Sequence, residues 1–483
     1  MDADSLLMDR HQKAVANIAE AVKGFYNRKE AFHIYHGSTN STRSPNFDPE
    51  KVVDTSSLSQ VLQIDAELGT VLVEPNVSMD RLVQTTLKYG FIPQIVPEFP
   101  GITVGGSFSG TAGESSSFKY GFFDRTVNWC DMVLANGDLV RLSPSNSNGG
   151  GSHPDLYNGA VGTFGTLGVT TLFEIQLVKA CPYVEITYVP VKSTTEIVAK
   201  LQECTTKPYD FIDGILFSKD QGVVIVGVMT GSNCGKIVRF ARAHDPWFYL
   251  HAFEHGITGS TFTVPIFDYL FRYDRGAFWM GSYTFSRIRL PFNRFTRWLL
   301  NPAMKTRSLY RALHASDRAQ KYMIQDIATP ASTTERFLEF VESNWGIYPL
   351  WLCPIRSDST APMHQIANSE TIINVGVWGL KESITKDPVH ANRALEKRVQ
   401  ELGGWKVLYA HTYYTEDEFW RIHGKRWYDE LREKYFARHL PTIYDKVGMR
   451  EKAGAGTKSW SRVKTFLIVV FFCILLPLWR VRD

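Results

Sequence analysis

Apolar residues recur along this chain with two periods, and the change from one to the other organises it. Between residues 10 and 30, Val15, Ile18, Ala19 and Val22 fall on one side of a 3.6-residue repeat, which predicts a helix. The repeat then shortens toward two. FHIYHG (32–37) reads as a strand entering a glycine turn, and TVLVEPNV (70–77) as a strand and turn. SMDRLVQTTLKYGFIP (78–93) reads as a helix with Ser78 as its N-cap and Gly90 as its stop. In DMVLANGDLVRLS (131–143) two β-runs flank Asn136-Gly137, the strongest short hairpin signal. GTLGVTTLFEIQLVKA (165–180) reads as a glycine turn and a strand. Strands and hairpins without a repeated βαβ unit predict an α+β first unit over residues 1–190.

The texture changes at about Val191. PYVEITYVPV (182–191) and GVVIVGVMT (222–230) read as strands, and STTEIVAKLQEC (193–204) as a helix. Residues 245–330 are aromatic-rich and read as helical or irregular. TTERFLEFVESNW (333–345) and HANRALEKRVQEL (390–402) predict helices; YPLWLCPI (348–355), TIINVGVWG (371–379) and WKVLYAHTYY (405–414) predict strands. The alternation suggests an α/β substrate, or cap, domain over 191–449.

The last segment is different again. Thr465 to Trp479 (TFLIVVFFCILLPLW) is almost wholly apolar, with Arg462 and Lys464 before it and Arg480 and Arg482 after it. As a helix it spans about 22 Å, against ~30 Å of hydrocarbon, so snorkelling basic residues and Trp460 and Trp479 at the interfaces extend its reach. It is expected to be a membrane anchor, either spanning or lying in the interface, joined by a linker over 450–464. Met1 to Lys13 holds no apolar run of the kind a secretory signal needs, and the sequons at Asn40 and Asn76 are expected to stay unused.

Composition excludes more than it assigns. A hydrophobic fraction of 44% rules out a mostly disordered polypeptide, and a net charge of +4 gives no basis for nucleic-acid binding. The six cysteines show no metal-ligand spacing, so free thiols and no metal are expected. The chemistry lies in three glycine-rich clusters: His36-Gly37-Ser38-Thr39-Asn40-Ser41, then TVGGSFSGTAGESSSFKYG (103–121), then GTFGTLGV (162–169). Glycine lets main-chain N–H groups approach a phosphate, successive amides form an anion-binding nest, and hydroxyl side chains add donors without bulk. Neither GxxxxGK[ST] nor a GxGxxG between strand and helix is present.

Together these clusters resemble the FAD-binding domain of the vanillyl-alcohol oxidase / p-cresol methylhydroxylase (PCMH-type) superfamily, a two-subdomain unit. Within it, residues 103–122 are similar nearly throughout to the signature of the delta(24)-sterol reductase (Diminuto/Dwarf-like, seladin-like) group. DPWFYLH (245–251), IQD (324–326), YPLWLCP (348–354), EFW (418–420), WYDELREKYF (427–436) and YDKV (444–447) extend the resemblance over nearly the whole sequence. It implies FAD contacts from Gly37, Ser38, Thr39, Asn40 and Ser41. It adds Gly105, Gly106, Gly110, Thr111, Ala112, Gly113, Glu114, Ser115, Ser116, Ser117, Tyr120 and Gly121, with Gly168 and Val169 as outer members. A side chain at Gly106 or Gly110 is expected to collide with the dinucleotide. Relatives that attach FAD covalently carry His where this chain has Asn40, and PGITVGG (100–106) holds no Cys, so a non-covalent flavin follows.

The same resemblance implies NADPH as hydride source, a sterol or sterol-like lipid as substrate, and an endoplasmic reticulum membrane with the catalytic part facing the cytosol. Anchoring by an N-terminal segment is usual in the group, whereas here the apolar run is C-terminal. An isolated alkene is a poor electrophile, so hydride delivery needs an accompanying proton donor. Glu114, Lys119 and Tyr120 are candidates, with His411 and Tyr413, on a late strand, as alternatives. Two roles are open to Glu114: acid, or structural carboxylate ordering the glycine loop through backbone N–H bonds. Two activities are open as well: reduction of a sterol side chain, or an oxidase or dehydrogenase acting on another lipid or secondary metabolite.

Overall fold

Strand residues alternate between two sides, so each sheet needs one cover per buried face. The computed structural model describes residues 3–37, 48–145, 152–233, 235–316, 321–357, 361–363 and 371–449. A short parallel pair, β1 (His33–Tyr35) and β2 (Val52–Asp54), precedes the first sheet. That sheet contains β3 (Val61–Asp65), β4 (Thr70–Val73), β5 (Phe91–Pro93), β6 (Val127–Leu134), β7 (Leu139–Leu142) and β8 (Gly168–Lys179). Their order is β3-β4-β8-β6-β7, with β5 on the far end of β8. The long helix Ala3–Arg28 buries Val15, Ile18, Val22 and Phe25 against this unit. It begins before residue 10, in turns that are partly solvated, with Leu6 exposed, so the buried stripe does not mark its start. The β6–β7 hairpin turns at Gly137, whose φ is +95°. A Cβ there would lie 2.8 Å from Lys23 Cβ of the long helix, so this glycine serves both turn and packing.

The second sheet has eight strands: β9 (Tyr183–Val191), β10 (Phe211–Ser218), β11 (Gln221–Thr230), β12 (Thr261–Pro265), β13 (Met323–Pro330), β14 (Leu350–Ile355), β15 (Ile372–Gly379) and β16 (Trp405–Lys406). They run in the order β12-β9-β11-β10-β14-β15-β13-β16, with every pairing antiparallel. The expected α/β cap is therefore corrected to an antiparallel sheet, with the helices Thr194–Thr205, Ala331–Trp345 and Pro388–Glu401 on one face and Phe248–Gly256 against β9 and β11 on the other. The backbone passes between the sheets from Lys179 to Tyr183, ahead of residue 190.

The two faces of this second sheet differ. Ile212, Leu216, Leu352, Val375 and Ile327 pack under the helices Thr194–Thr205, Ala331–Trp345 and Pro388–Glu401. Fully burying such a side chain contributes about 1.5–3 kcal/mol. Asp213, Trp351, Cys353, Asn374, Trp378 and Asp326, offset by one residue, occupy the other face, toward the first unit.

Two expectations for the second unit change. Residues 245–330 include β12 and β13, whose alternation is masked by polar residues such as Gln325 and Asp326. The run 405–414 is a strand only at Trp405–Lys406. Beyond it the backbone curls around buried Glu396, whose Oε1 accepts from Lys406 Nζ (2.6 Å), Thr412 Oγ1 (3.0 Å) and the Tyr413 N–H (2.9 Å). His411 and Tyr413 therefore stand on a loop, not a strand. Among the described residues no helix is long and apolar enough to cross a membrane. The expected linker (450–464) and anchor (465–479) fall outside the described residues.

Candidate functional site between the two sheets

Thr103 starts the central glycine segment as the N-cap of the helix Val104–Ser109, accepting from the Gly106 N–H at 3.1 Å. Gly105 donates to the Pro75 carbonyl at 2.8 Å, and a Cβ on it would come within 2.9 Å of Pro75 Cβ. At Gly110 a Cβ would meet the Gly106 carbonyl oxygen at 2.8 Å. The expected collision at Gly110 thus begins inside the protein's own backbone. At Gly106 the neighbour is the Thr103 hydroxyl oxygen, at 3.0 Å.

The three clusters converge. A Cβ on Gly165 would sit 2.6 Å from Ile34 Cδ1, three residues before Gly37, and the Phe164 ring lies 3.6 Å from the position of a Gly110 Cβ. Gly37, Gly162, Gly165 and Gly121 have positive φ, as do the non-glycine residues Thr111 and Phe164. Ser38, Thr39, Asn40 and Ser41 lie outside the described residues. Residues distant in sequence close over the third cluster: Lys446 Nζ donates to the Phe164 carbonyl at 2.8 Å, and Tyr428 Oη to Thr166 Oγ1 at 2.8 Å. Burial and the Lys446 charge depress the His36 imidazole below its ordinary value, and its buried Nδ1 has no hydrogen-bond partner among the described residues. Gly168 and Val169 begin β8 rather than extending the loop. A Cβ on Gly168 would strike Met132 Sδ at 2.7 Å and the Val133 carbonyl at 2.8 Å, so strand packing accounts for this glycine.

Glu114 to Ser117 are all buried. Ser115 Oγ donates to Glu114 Oε2 (2.7 Å), the Ser116 N–H donates to Glu114 Oε1 (3.0 Å), and the Glu114 N–H donates to Ser117 Oγ (2.8 Å). The serine hydroxyls thus serve the loop itself. Ser116 Oγ stands between two acceptors, Glu114 Oε1 and the Gln94 carbonyl. A proton on Glu114 satisfies both, and burial does raise its carboxyl above the usual range, against the hydrogen bonds from Ser116 and Ser115. The bond from the Ser116 N–H is of the kind that the loop-ordering role of Glu114 requires.

The segment is fastened to the second sheet through its main-chain carbonyls. Ile212 N–H donates to the Ser115 carbonyl (2.7 Å), Arg356 N–H to the Ser117 carbonyl (3.1 Å), and Cys353 Sγ to the Glu114 carbonyl (3.0 Å). Lys119 is half exposed and pairs with Asp210 at 3.2 Å, with Tyr120 beneath its ammonium. Both stand at the rim.

Sequence reasoning missed the charged centre of this interface. Arg272, 1% exposed, donates to Asp213 Oδ2 at 2.8 Å; Tyr273 Oη (2.8 Å) and Trp351 Nε1 (3.1 Å) donate to the same oxygen. Glu98 and Glu114 share the field of this one cation. Burial, and then the neighbouring Glu114 charge, drive the Glu98 carboxyl well above the usual range. A buried arginine demands a carboxylate, but Asp213 lies in an apolar strand that gives no sign of the pairing. Around this pair stand Phe278, Trp351 and Trp378, with Phe278 and Trp378 ring centroids 4.4 Å apart and Trp351 stacked on Trp378 at 5.9 Å.

This arrangement fits a dinucleotide: backbone free of side chains from three segments, an unpartnered buried imidazole nitrogen, and an adjoining aromatic wall. Comparison with known proteins agrees. The FAD binding domain family matches residues 12–143. The delta(24)-sterol reductase of Homo sapiens is 30% identical over 404 residues, covering 81% of this chain and 76% of that protein. That of Arabidopsis thaliana is 29% identical over 429 residues, covering 80% and 74%. The delta(24)-sterol reductase homolog of Caenorhabditis elegans is 25% identical over 465 residues, covering 90% and 87%. Identity of 30% over 81% of this chain and 76% of the human protein means that this chain belongs to the delta(24)-sterol reductase family.

Proposed function

We propose that the protein reduces a C=C bond in the side chain of a sterol, as an FAD-dependent delta(24)-sterol reductase with NADPH as hydride source. The convergence of three glycine-rich stretches at the interface of the two sheets carries this reading. In it, FAD is held without a covalent bond by main-chain groups of Gly37 to Ser41, Gly105, Gly106 and Gly110 to Ser117, with Tyr120 and Gly121 at the rim and Gly168 and Val169 behind. Bound FAD supplies the hydride chemistry, accepting from the nicotinamide and giving to the alkene. Glu114 acts as a positioning residue, while Lys119 and Tyr120 close the end of the segment. The aromatic wall of Phe278, Trp351 and Trp378 receives an apolar skeleton and excludes water. The apolar segment 465–479 attaches the protein to the endoplasmic reticulum membrane, with the catalytic part facing the cytosol, close to a membrane-dissolved substrate.

The test is an anaerobic titration of detergent-solubilised protein with NADPH, followed at the flavin band, then addition of a Δ24 sterol. Bleaching by NADPH and recovery on sterol addition is the expected result. Recovery with oxygen but not with sterol would move the assignment to an oxidase.

A further inference from the structure

Residues 275–316 hold seven arginines, one lysine and no aspartate or glutamate. Within them lies a short helix, Arg294–Leu299, whose amphipathicity is inverted. Thr296 and Leu300 are buried, whereas Phe295, Trp298 and Leu299 are 65%, 49% and 52% exposed. The i, i+3, i+4 spacing sets these three on one side of the helix. The Phe295 and Trp298 ring centroids lie 5.9 Å apart there.

Local bonds hold this orientation. Asn293 Oδ1 accepts from the Thr296 N–H (3.0 Å), and Thr296 Oγ1 donates to the Pro291 carbonyl (2.6 Å). Just past the helix, Arg275 Nε donates to Asn301 Oδ1 (2.7 Å). The fold thus keeps three adjoining apolar side chains in water, which points to a partner that removes them from it.

The basic residues indicate the chemistry of that partner. Arg289 and Arg294 are exposed, and Arg297, half-buried, lies over the Phe292 ring at 5.0 Å. Among the described residues none of these three arginines enters an ion pair. Aromatic and leucine side chains that insert, rimmed by arginines that meet phosphates, match an anionic phospholipid surface. Two rings and a leucine supply only part of the ~800 Å² per partner of a standard protein interface.

The patch is also joined to the aromatic wall. Phe292, ahead of the helix cap, packs on Trp247 (5.3 Å) and Phe285 (5.1 Å). Ring contacts continue from Trp247 to Tyr249 (6.3 Å), from Tyr249 to Trp279 (6.2 Å), and from Trp279 to Trp378 (5.6 Å).

We propose that Phe295, Trp298 and Leu299, with Arg289, Arg294 and Arg297, form a membrane contact of the folded body itself, made on an anionic phospholipid surface and separate from the segment 465–479. A single tether leaves the body free to turn above the bilayer. This contact fixes the side that faces it, and that side carries the aromatic block. The contact does not depend on which reaction the protein catalyses.

The experiment uses full-length, FAD-loaded protein in phosphatidylcholine vesicles containing phosphatidylserine, with Phe295 replaced by the photo-crosslinker p-benzoylphenylalanine. A matched sample carries the crosslinker at Tyr89, an exposed position of the first unit. Flotation with the vesicles is scored separately from crosslinking. Illumination should give phospholipid adducts at 295 and none at 89. Arg294→Gln together with Arg297→Gln should cut the 295 adduct at least about fivefold, as should vesicles of phosphatidylcholine alone. Protein that floats without the 295 adduct overturns the patch and leaves the tether standing, whereas protein that does not float overturns both. Equal adducts at the two positions, or an adduct indifferent to the two arginines, refute the proposal. A covalent dimer in place of the lipid adduct refutes it as well and assigns the patch to a second copy. Without any crosslinker, Trp298→Phe should lose part of the tryptophan quenching caused by brominated phospholipid; unchanged quenching counts against the patch in the same way.

Discussion

On β14, Leu350 and Leu352 go to one side while Trp351 and Cys353 go to the other, and the two sides of the second sheet follow different rules. The helix-covered side is mainly aliphatic under three helices, with Gln325 bonded to Asn392 among its polar members. The opposite side holds an arginine among three carboxyls, and stacked indoles. Apolar packing can be achieved by many residues of similar volume, whereas the other face works only as a particular set. One sheet can therefore be both scaffold and site, because alternation keeps the two jobs apart.

The sharpest way to break the contrast is Arg272→Met. It removes the cation that faces Asp213, Glu98 and Glu114 among the described residues, and should lower unfolding free energy by about 3–5 kcal/mol in urea titration, with loss of bound FAD. On the other face Leu352→Ala should cost about 2–5 kcal/mol through the cavity it leaves, while flavin content at low temperature stays at the wild-type level. A joint loss of stability and FAD in both variants would show that the faces are not separable. Gly110→Ala must displace backbone and should cost about 1–3 kcal/mol, with FAD released on dilution. Gly106→Ala asks only that the Thr103 hydroxyl shift, so it should retain more FAD.

The smallest effect is a slope with pH. The Glu98 carboxyl is raised in the folded state, so the folded protein holds that proton more tightly than the unfolded one. Stability from this group is complete below the unfolded value near 4.5 and drains away as pH rises toward the folded one. Glu98→Gln removes the titration. Its Tm relative to wild type should rise steadily from about pH 5 to pH 8, and a constant difference would contradict it.

What could be read from the sequence follows the range of the physics. Glycine clusters and the Asn136-Gly137 turn are written in conformational freedom, a local property, and they stand out without a fold. The β13 strand is hidden because Gln325 bonds to Asn392 on one side while Asp326 lies on the other, so polar residues interrupt both faces. The end of β16 is decided by Glu396, nine residues upstream of Trp405, which draws the following loop around itself. The Arg272–Asp213 pair joins residues 59 apart, and Trp351 completes it from 138 away. No sequence window of ordinary length holds all three.

The strand order of the second sheet also has a consequence for biosynthesis. β10 lies beside β14, and the carbonyls of Ser115 and Ser117 wait for the amides of Ile212 and Arg356. During translation the nucleotide-binding unit emerges first, yet its central segment lacks a ceiling until β14 has left the ribosome. A nascent polypeptide stalled before residue 350 would therefore leave that segment to its own internal hydrogen bonds and the Ile212 amide, without the contacts that Cys353 and Arg356 make.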